Sequence, residues 1–341
     1  MTEKFENLVK WVEENGGYVD KDLYLFVDEN GDRCLKIKKP KLAKELLAVI
    51  PKECNISGKT WIETCLNLLS EFPKEEKSFY HPYLEMLPKM EMLKDHPFFK
   101  FEEKEVETIK SIHFESGTRL KNLYLNIELL KVVSSDLAIP GMYKTEKWLK
   151  YILLLCNTRS WGSIGMIPII DLLQHTQQGD NCNTVSFGDR THLHCKQLNI
   201  NDSLSLCYRE GSISDFYISY GIPILDINYI NAVLEIPTLT EKQKKLIGSI
   251  VTLYFSDVGL DLNTLKQLRV ITMKENEDFN NNLVHPELNK RCAQFVLPIL
   301  EKSRIKQVPV HDRYKIFYNI IAKHNEIIDK SIKEFKSFLV Q

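Results

Sequence analysis

The feature that most constrains this chain is a change of hydrophobic period that happens twice. Short alternating segments bounded by turn residues fill the first fifty or so positions, give way to a long stretch of helical periodicity, and return between residues 164 and 208. A strand-rich unit built from both ends must therefore join segments far apart in sequence, with the helical stretch as an insertion. Past Pro237 the pattern is helical again. The fold class read from this order is α+β. A β-rich domain over residues 1–236 is split by a helical insertion at about 57–158 and followed by an all-α domain over residues 237–341.

Phe5, Leu8, Val9 and Val12 recur at helical spacing, and Gly16-Gly17 supplies a stop. The turn Asp28-Glu29-Asn30-Gly31-Asp32 divides the next strand-like stretch. Leu35 and Ile37 then precede an apolar run at 46–50 closed by Pro51. Trp61, Cys65, Leu68, Leu69 and Phe72 mark an amphipathic helix, with Ser57 or Thr60 as its N-cap. Residues 101–156 read mainly as helix, broken near Pro140-Gly141. Strands are expected at 164–170, 184–187, 192–195 and 203–208, and helices at 246–255, 262–271, 287–300 and 316–339.

Composition narrows the function classes. Lys and Arg total 45 against 46 Asp and Glu, a formal net charge of -1, so no broad electrostatic footprint for nucleic acid or an anionic membrane is expected. The hydrophobic fraction of 43% supports a real core. The eight cysteines are scattered without a C-x-x-C pair, which reads as reduced, mostly buried thiols of a cytoplasmic or nuclear protein. The first residues carry acids and no apolar core of a signal peptide, and no run is long enough for a membrane span.

Two local patterns invite chemistry and do not sustain it. Gly58-Lys59-Thr60 resembles the end of a phosphate-binding loop, but the glycine that loop needs five residues earlier is Glu53. In His192-Leu193-His194-Cys195 the two histidines of a strand face one side and the cysteine the other. The three cannot converge, and no metal site is expected.

Taken in order, the remaining motifs resemble those of SET-domain protein methyltransferases of the RuBisCO large-subunit methyltransferase type. Arg33-Cys34-Leu35 and Lys44-Glu45-Leu46-Leu47 through Pro51 are similar to the opening R-G-L and G-E-x-L-x-x-I-P. Ser78 through Pro88 resembles S-x-x-x-P-Y-x-x-x-L-P, and Thr158-Arg159-Ser160-Trp161 resembles S/T-R-x-F. Pro168 through Thr176 resembles P-x-x-D-x-x-N-H-S/T, and Tyr208 through Gly221 the tyrosine-containing segment that ends in Y-G. Residues 262–270 resemble the start of the substrate-binding helical domain.

The resemblance implies S-adenosyl-L-methionine as cofactor, lying in one face of the β-rich domain, and a substrate amine entering from the opposite face through a narrow channel. It places Tyr208 at the catalytic-tyrosine position. Cofactor positions fall on Arg33, Glu45, Leu47, Arg159, Asp171, Gln174, His175 and Tyr220, and the channel wall on Trp161. Lysine-modifying relatives carry an aromatic residue where Trp161 stands, whereas relatives that methylate an actin histidine carry asparagine. The implied activity is therefore protein-lysine N-methylation of a non-histone intracellular protein recognised partly by the C-terminal helices. A catalytically silent interaction module and a histidine methyltransferase are the alternatives. Four positions depart from the pattern: Gln174 replaces asparagine, Cys34 a glycine, Arg209 a glycine or aspartate, and Ile213 an asparagine.

Overall fold

The computed structural model describes residues 2–29, 31–176, 180–207, 213–221, 229–235, 250–256, 259–260, 262–272, 286–305 and 311–340. These fall into two compact units, residues 1–103 with 120–210, and residues 104–119 with 211–341.

In the first unit, α1 (Thr2–Glu14) buries Phe5, Leu8 and Val12, the face its spacing marks, and the chain leaves it through Gly16 at φ +82°. Strands β1 (Tyr18–Val19), β2 (Leu23–Val27), β3 (Arg33–Ile37) and β4 (Leu46–Pro51) follow. β2 and β3 form a hairpin with Leu25 opposite Leu35, and Gly31 takes φ +85° in its turn. After the insertion come β5 (Gln174–His175), β6 (Cys182–Phe187), β7 (Arg190–Cys195) and β8 (Ser205–Leu206). β7 pairs with β4, setting Leu193 against Ala48, and completes a four-stranded antiparallel sheet of order β1-β4-β7-β6. Thr191, Leu193 and Cys195 are buried while Arg190 is exposed and His192 and His194 are half-exposed, the two-residue alternation of a half-buried strand. All eight cysteines are free thiols, and only Cys207 is not buried.

Within the insertion, α2 (Trp61–Glu71) starts at Thr60, whose Oγ1 accepts from the Glu63 N–H while the Glu63 carboxylate accepts from the Lys59 N–H. That reciprocal capping is what the Gly58-Lys59-Thr60 sequence encodes. Short helices α3 (His81–Leu84) and α4 (Pro97–Lys100) lead to α5 (Val106–Ile112) and α6 (Phe114–Ser134). Helix α7 (Glu146–Arg159) buries seven residues, from Leu149 to Cys156, and is the hydrophobic backbone of the insertion.

The second unit contains α5, the first turns of α6, α8 (Ile213–Tyr220), strands β9 (Tyr229–Glu235), β10 (Ile250–Ser256) and β11 (Gly259–Leu260), then α9 (Leu262–Thr272), α10 (Pro286–Ser303) and α11 (Lys315–Val340). α9 packs on α10 and α10 on α11, and α11 also meets α5, α8 and β10. Leu268, Cys292, Val296, Phe317, Ile328 and Phe335 are buried there. Among the described residues no helix is long and apolar enough to cross a membrane.

Three local expectations are corrected. The segment 246–255, read as helix, is strand β10 over its described part, paired along its length with β9. Its sequence Ile-Val-Thr-Leu-Tyr-Phe-Ser is rich in β-branched and aromatic residues, and the partner strand decides what a short apolar run leaves open. The helical C-terminal region thus carries a small antiparallel sheet. The strand expected at 164–170 is instead a buried irregular path. Met166 makes isolated bridges to Ile56 and Ser160, and Pro168 lacks a ladder donor. Of the strand expected at 203–208, the described part, 203–207, forms strand only at Ser205–Leu206.

Candidate active site

An enclosed polar cluster of the first unit is built around Asp171. Ile169 takes φ +68°, a conformation that costs a β-branched residue about 1–3 kcal/mol, and turns the chain into the short 3-10 turn Ile170–Leu172. The Asp171 side chain is thereby turned inward, 1% exposed. Its Oδ2 accepts a hydrogen bond from the Tyr83 hydroxyl at 2.7 Å and one from Arg159 Nη1 at 3.1 Å. The same Nη1 donates to the Asp171 carbonyl at 2.9 Å, so the last turn of α7 is fastened to the 3-10 turn. Asp171 Oδ1 is buried without a hydrogen-bond partner among the described residues. Burial, then the neighbouring Asp171 carboxylate, pushes the Tyr83 phenol well above its ordinary value, so it stays a neutral donor.

Arg33 joins this cluster from β3. Its Nη1 donates to the Met86 carbonyl at 2.6 Å. Burial lowers its pKa first and the Arg159 guanidinium second, with Asp171 opposing both. Two guanidiniums therefore share a poorly hydrated region with one buried carboxylate, which leaves net positive charge there. Tyr151 lies within the field of both arginines. Its hydroxyl donates to the Pro88 carbonyl at 2.9 Å, and burial pushes it up to about 12.

Gln174 and His175 form β5, which runs parallel to β8, with Gln174 opposite Ser205 and His175 opposite Leu206. Leu204 N–H, one residue before β8, donates to the Leu35 carbonyl at 2.8 Å and ties this crossing to β3. Asn181 braces the β8 side of it, with Nδ2 donating to the Ser203 carbonyl and Oδ1 accepting from the Ser205 N–H. The Gln174 side chain is exposed. His175 is half-buried, and burial lowers it to about 4, leaving a neutral ring at neutral pH. The Cys34 thiol is buried and lies 3.7 Å from Ser203 Oγ, turned onto the chain beside β8.

The other expected site residues are spread more widely. The Glu45 carboxylate accepts from the Leu42 N–H at 2.7 Å, and its carbonyl accepts from the Cys195 N–H at 3.0 Å. Leu47 is fully buried in β4, and its carbonyl accepts from the Asp20 N–H. Trp161 is half-exposed in a tight loop that Gly165, at φ +89°, closes back onto the Trp161 N–H. Tyr220 belongs to the second unit, where it stacks on Phe216 with ring centroids 5.6 Å apart. Tyr208 and Arg209 lie outside the described residues, as does the Ile213 side chain.

The structure therefore brings Arg33, Arg159 and Asp171 together. Tyr83, which the sequence offers only inside a Pro-Tyr motif, adds a second donor to Asp171 Oδ2. Asn181 had no sequence signal at all, because its bonds to Ser203 and Ser205 form only once that segment lies beside it.

A hairpin, an antiparallel sheet assembled from both ends of the domain, a helical insertion between them and a helical region later in the chain follow the order of the SET-domain fold of Rubisco LSMT. Solved structures match along nearly the whole chain. The SET domain of LSMT bound to lysine and AdoHcy aligns with TM-score 0.53 and 14% identity. Rubisco LSMT bound to AdoMet gives 0.53 and 15%. Rubisco LSMT bound to sinefungin and monomethyllysine gives 0.58 and 14%. Each alignment covers 99% of this chain and 92% of the other. No protein-family profile matches the sequence, and no curated protein does.

Proposed function

We propose that this chain is an S-adenosylmethionine-dependent methyltransferase whose acceptor is a lysine side chain of a non-histone intracellular protein. The observation that carries the reading is the charge imbalance around Asp171. Arg159 pairs with one buried carboxylate while a second guanidinium, Arg33, lies within the field of both, a charge balance that suits the carboxylate of an amino-acid-like ligand. The buried Asp171 Oδ1 is left as a spare acceptor beside it. The SET-domain likeness supports the same reading, since the matching structures hold AdoMet, AdoHcy with lysine, or sinefungin with monomethyllysine.

On this reading Arg33 and Arg159 hold the amino-acid end of the cofactor. Glu45, Leu47, Asp171, Gln174 and His175 make or support the rest of its site. When bound, S-adenosylmethionine supplies an electrophilic methyl group on a sulfonium. A neutral His175 adds no positive charge beside that cation. Cys34, turned onto Ser203, leaves the arginine cluster free of its side chain. The attacking amine must be neutral, although a free lysine has a pKa near ~10.4. Exclusion of water disfavours the ammonium form. Tyr208 aligns the amine, the half-exposed Trp161 ring packs along the aliphatic stem, and the helical segment 237–341 recognises the protein that carries the lysine.

The test is isothermal titration of the full chain with S-adenosylmethionine and with S-adenosylhomocysteine, repeated on Arg33→Met and Arg159→Met. Micromolar binding of both ligands, weakened roughly ten-fold or more by either substitution, is expected for a lost charge-assisted contact. Absence of binding by the correctly folded wild type retires the reading. Labelled methyl transfer followed by mass mapping of the modified residue then separates lysine from histidine.

A further inference from the structure

The outer face of the four-stranded sheet carries two imidazoles that the cluster around Asp171 does not use. His192 and His194 stand two residues apart on β7 and point the same way, while Leu193 between them and Cys195 beyond face the core. Their rings lie nearly parallel, with an interplanar angle of 29° and centroids 6.0 Å apart. Two imidazoles that share one ion at metal–nitrogen distances of about 2.0–2.1 Å have centroids roughly 4.5–6.4 Å apart, a range that includes this pair, and rotation of the half-exposed rings turns both lone pairs to one ion. Both are half-exposed, which leaves a metal open to solvent ligands.

The surroundings favour ligation over casual stacking. His194 Nδ1 lies 3.3 Å from the Lys44 carbonyl oxygen. That oxygen can only accept, so the bond places the proton on Nδ1 and leaves the Nε2 lone pair for a ligand. Fixing of the tautomer by a carbonyl is the support that metal-bound histidines ordinarily have. Phe187, on the neighbouring strand, packs on His192 with centroids 5.7 Å apart and restricts its rotation. Asn183, directly opposite His194 in the β6–β7 register, places an exposed amide on the same face. Among the described residues no three His, Cys, Asp or Glu side chains converge, so the pair is a two-nitrogen site completed by water.

We propose that His192 and His194 form a surface chelate for a borderline divalent transition ion (Ni2+, Cu2+ or Zn2+) on the outer face of this sheet. Imidazole nitrogen selects these ions over Mg2+ and Ca2+, which take oxygen ligands.

Isothermal titration of the untagged full chain with Ni2+ tests the site, run on wild type, His192→Asn and His194→Asn. Both side chains lie on the half-exposed face, so the variants should keep the wild-type far-UV spectrum. The expected result is one saturable equivalent in the micromolar range, weakened roughly ten-fold or more in each variant. Electron paramagnetic resonance of the wild type with one equivalent of Cu2+ gives a reading independent of the variants, and coupling to two imidazole nitrogens is expected. Equal Ni2+ uptake by wild type and either variant, no saturable uptake, or a Cu2+ spectrum without imidazole coupling overturns the proposal.

Discussion

Replacing Asp171 by asparagine keeps the size of the side chain and removes its charge from a place where it is 1% exposed. Hydrogen bonds to a charged group contribute about 1.5–3 kcal/mol against about 0.5–1.5 for neutral pairs, so the two bonds from Tyr83 and Arg159 weaken by about 2–3 kcal/mol together. Arg159, 18% exposed, also loses its counter-charge beside Arg33. Breaking a buried pair from one side costs about 3–5 kcal/mol, and the expected loss for Asp171→Asn is in that range. All four tryptophans, Trp11, Trp61, Trp148 and Trp161, lie in the first unit, so urea unfolding followed by tryptophan fluorescence reports on this unit alone. Tyr83→Phe should cost less, about 1.5–3 kcal/mol, and the double substitution should cost less than the sum of the two singles. A loss below about 1 kcal/mol for Asp171→Asn, or strict additivity with Tyr83→Phe, would refute the account of Asp171 as the hub of the cluster.

The second unit should weaken in mild acid. His113 Nδ1 accepts from the Ser116 N–H at the start of α6, and burial lowers the ring to about 4. A folded pKa below the ordinary 6.5 gives stability that is present above pH 6.5, falls as pH drops towards 4 and is flat below, by about 3 kcal/mol at most. His324, lowered chiefly by burial, acts in the same direction. His113→Asn keeps a capping acceptor without the titration, so its far-UV melting temperature should fall less between pH 7 and pH 4.5. A slope equal to wild type would exclude His113 as the source. Gly165→Ala should destabilise the first unit by about 1–3 kcal/mol, because φ is +89° and the new Cβ would lie 2.4 Å from the Ile56 carbonyl oxygen. Urea unfolding by tryptophan fluorescence checks it. Cys34→Ala should lower stability modestly and leave S-adenosylmethionine affinity unchanged, since the thiol packs against Ser203. Tighter binding in the titration would show that Cys34 obstructs the site.

Much of this fold is legible in local chemistry. The apolar spacing of Phe5, Leu8 and Val12, the Thr60 cap, the Gly31 turn and the alternation along Thr191, Leu193 and Cys195 each declare their element within a few residues. The segment 250–256 is different. A seven-residue apolar run satisfies helix and strand templates alike, and pairing with β9 settles the matter. Residues 164–170 are as apolar as a strand, but Pro168 and the positive φ of Ile169 divert the backbone.

The candidate site divides in the same way. Sequence alone determined the overall α+β order and marked Arg33, Arg159, Asp171, Gln174 and His175 as positions to watch, because motif spacing survives when most of the intervening residues differ. Only the tertiary structure decided that Arg159 pairs with the Asp171 carboxylate within the field of Arg33, that Tyr83 is its second donor and that Asn181 braces residues 203–205 at the start of β8. Those relations join residues far apart in the chain. Their energies come from exclusion of water and from hydrogen bonds across elements, and neither exists before the elements pack.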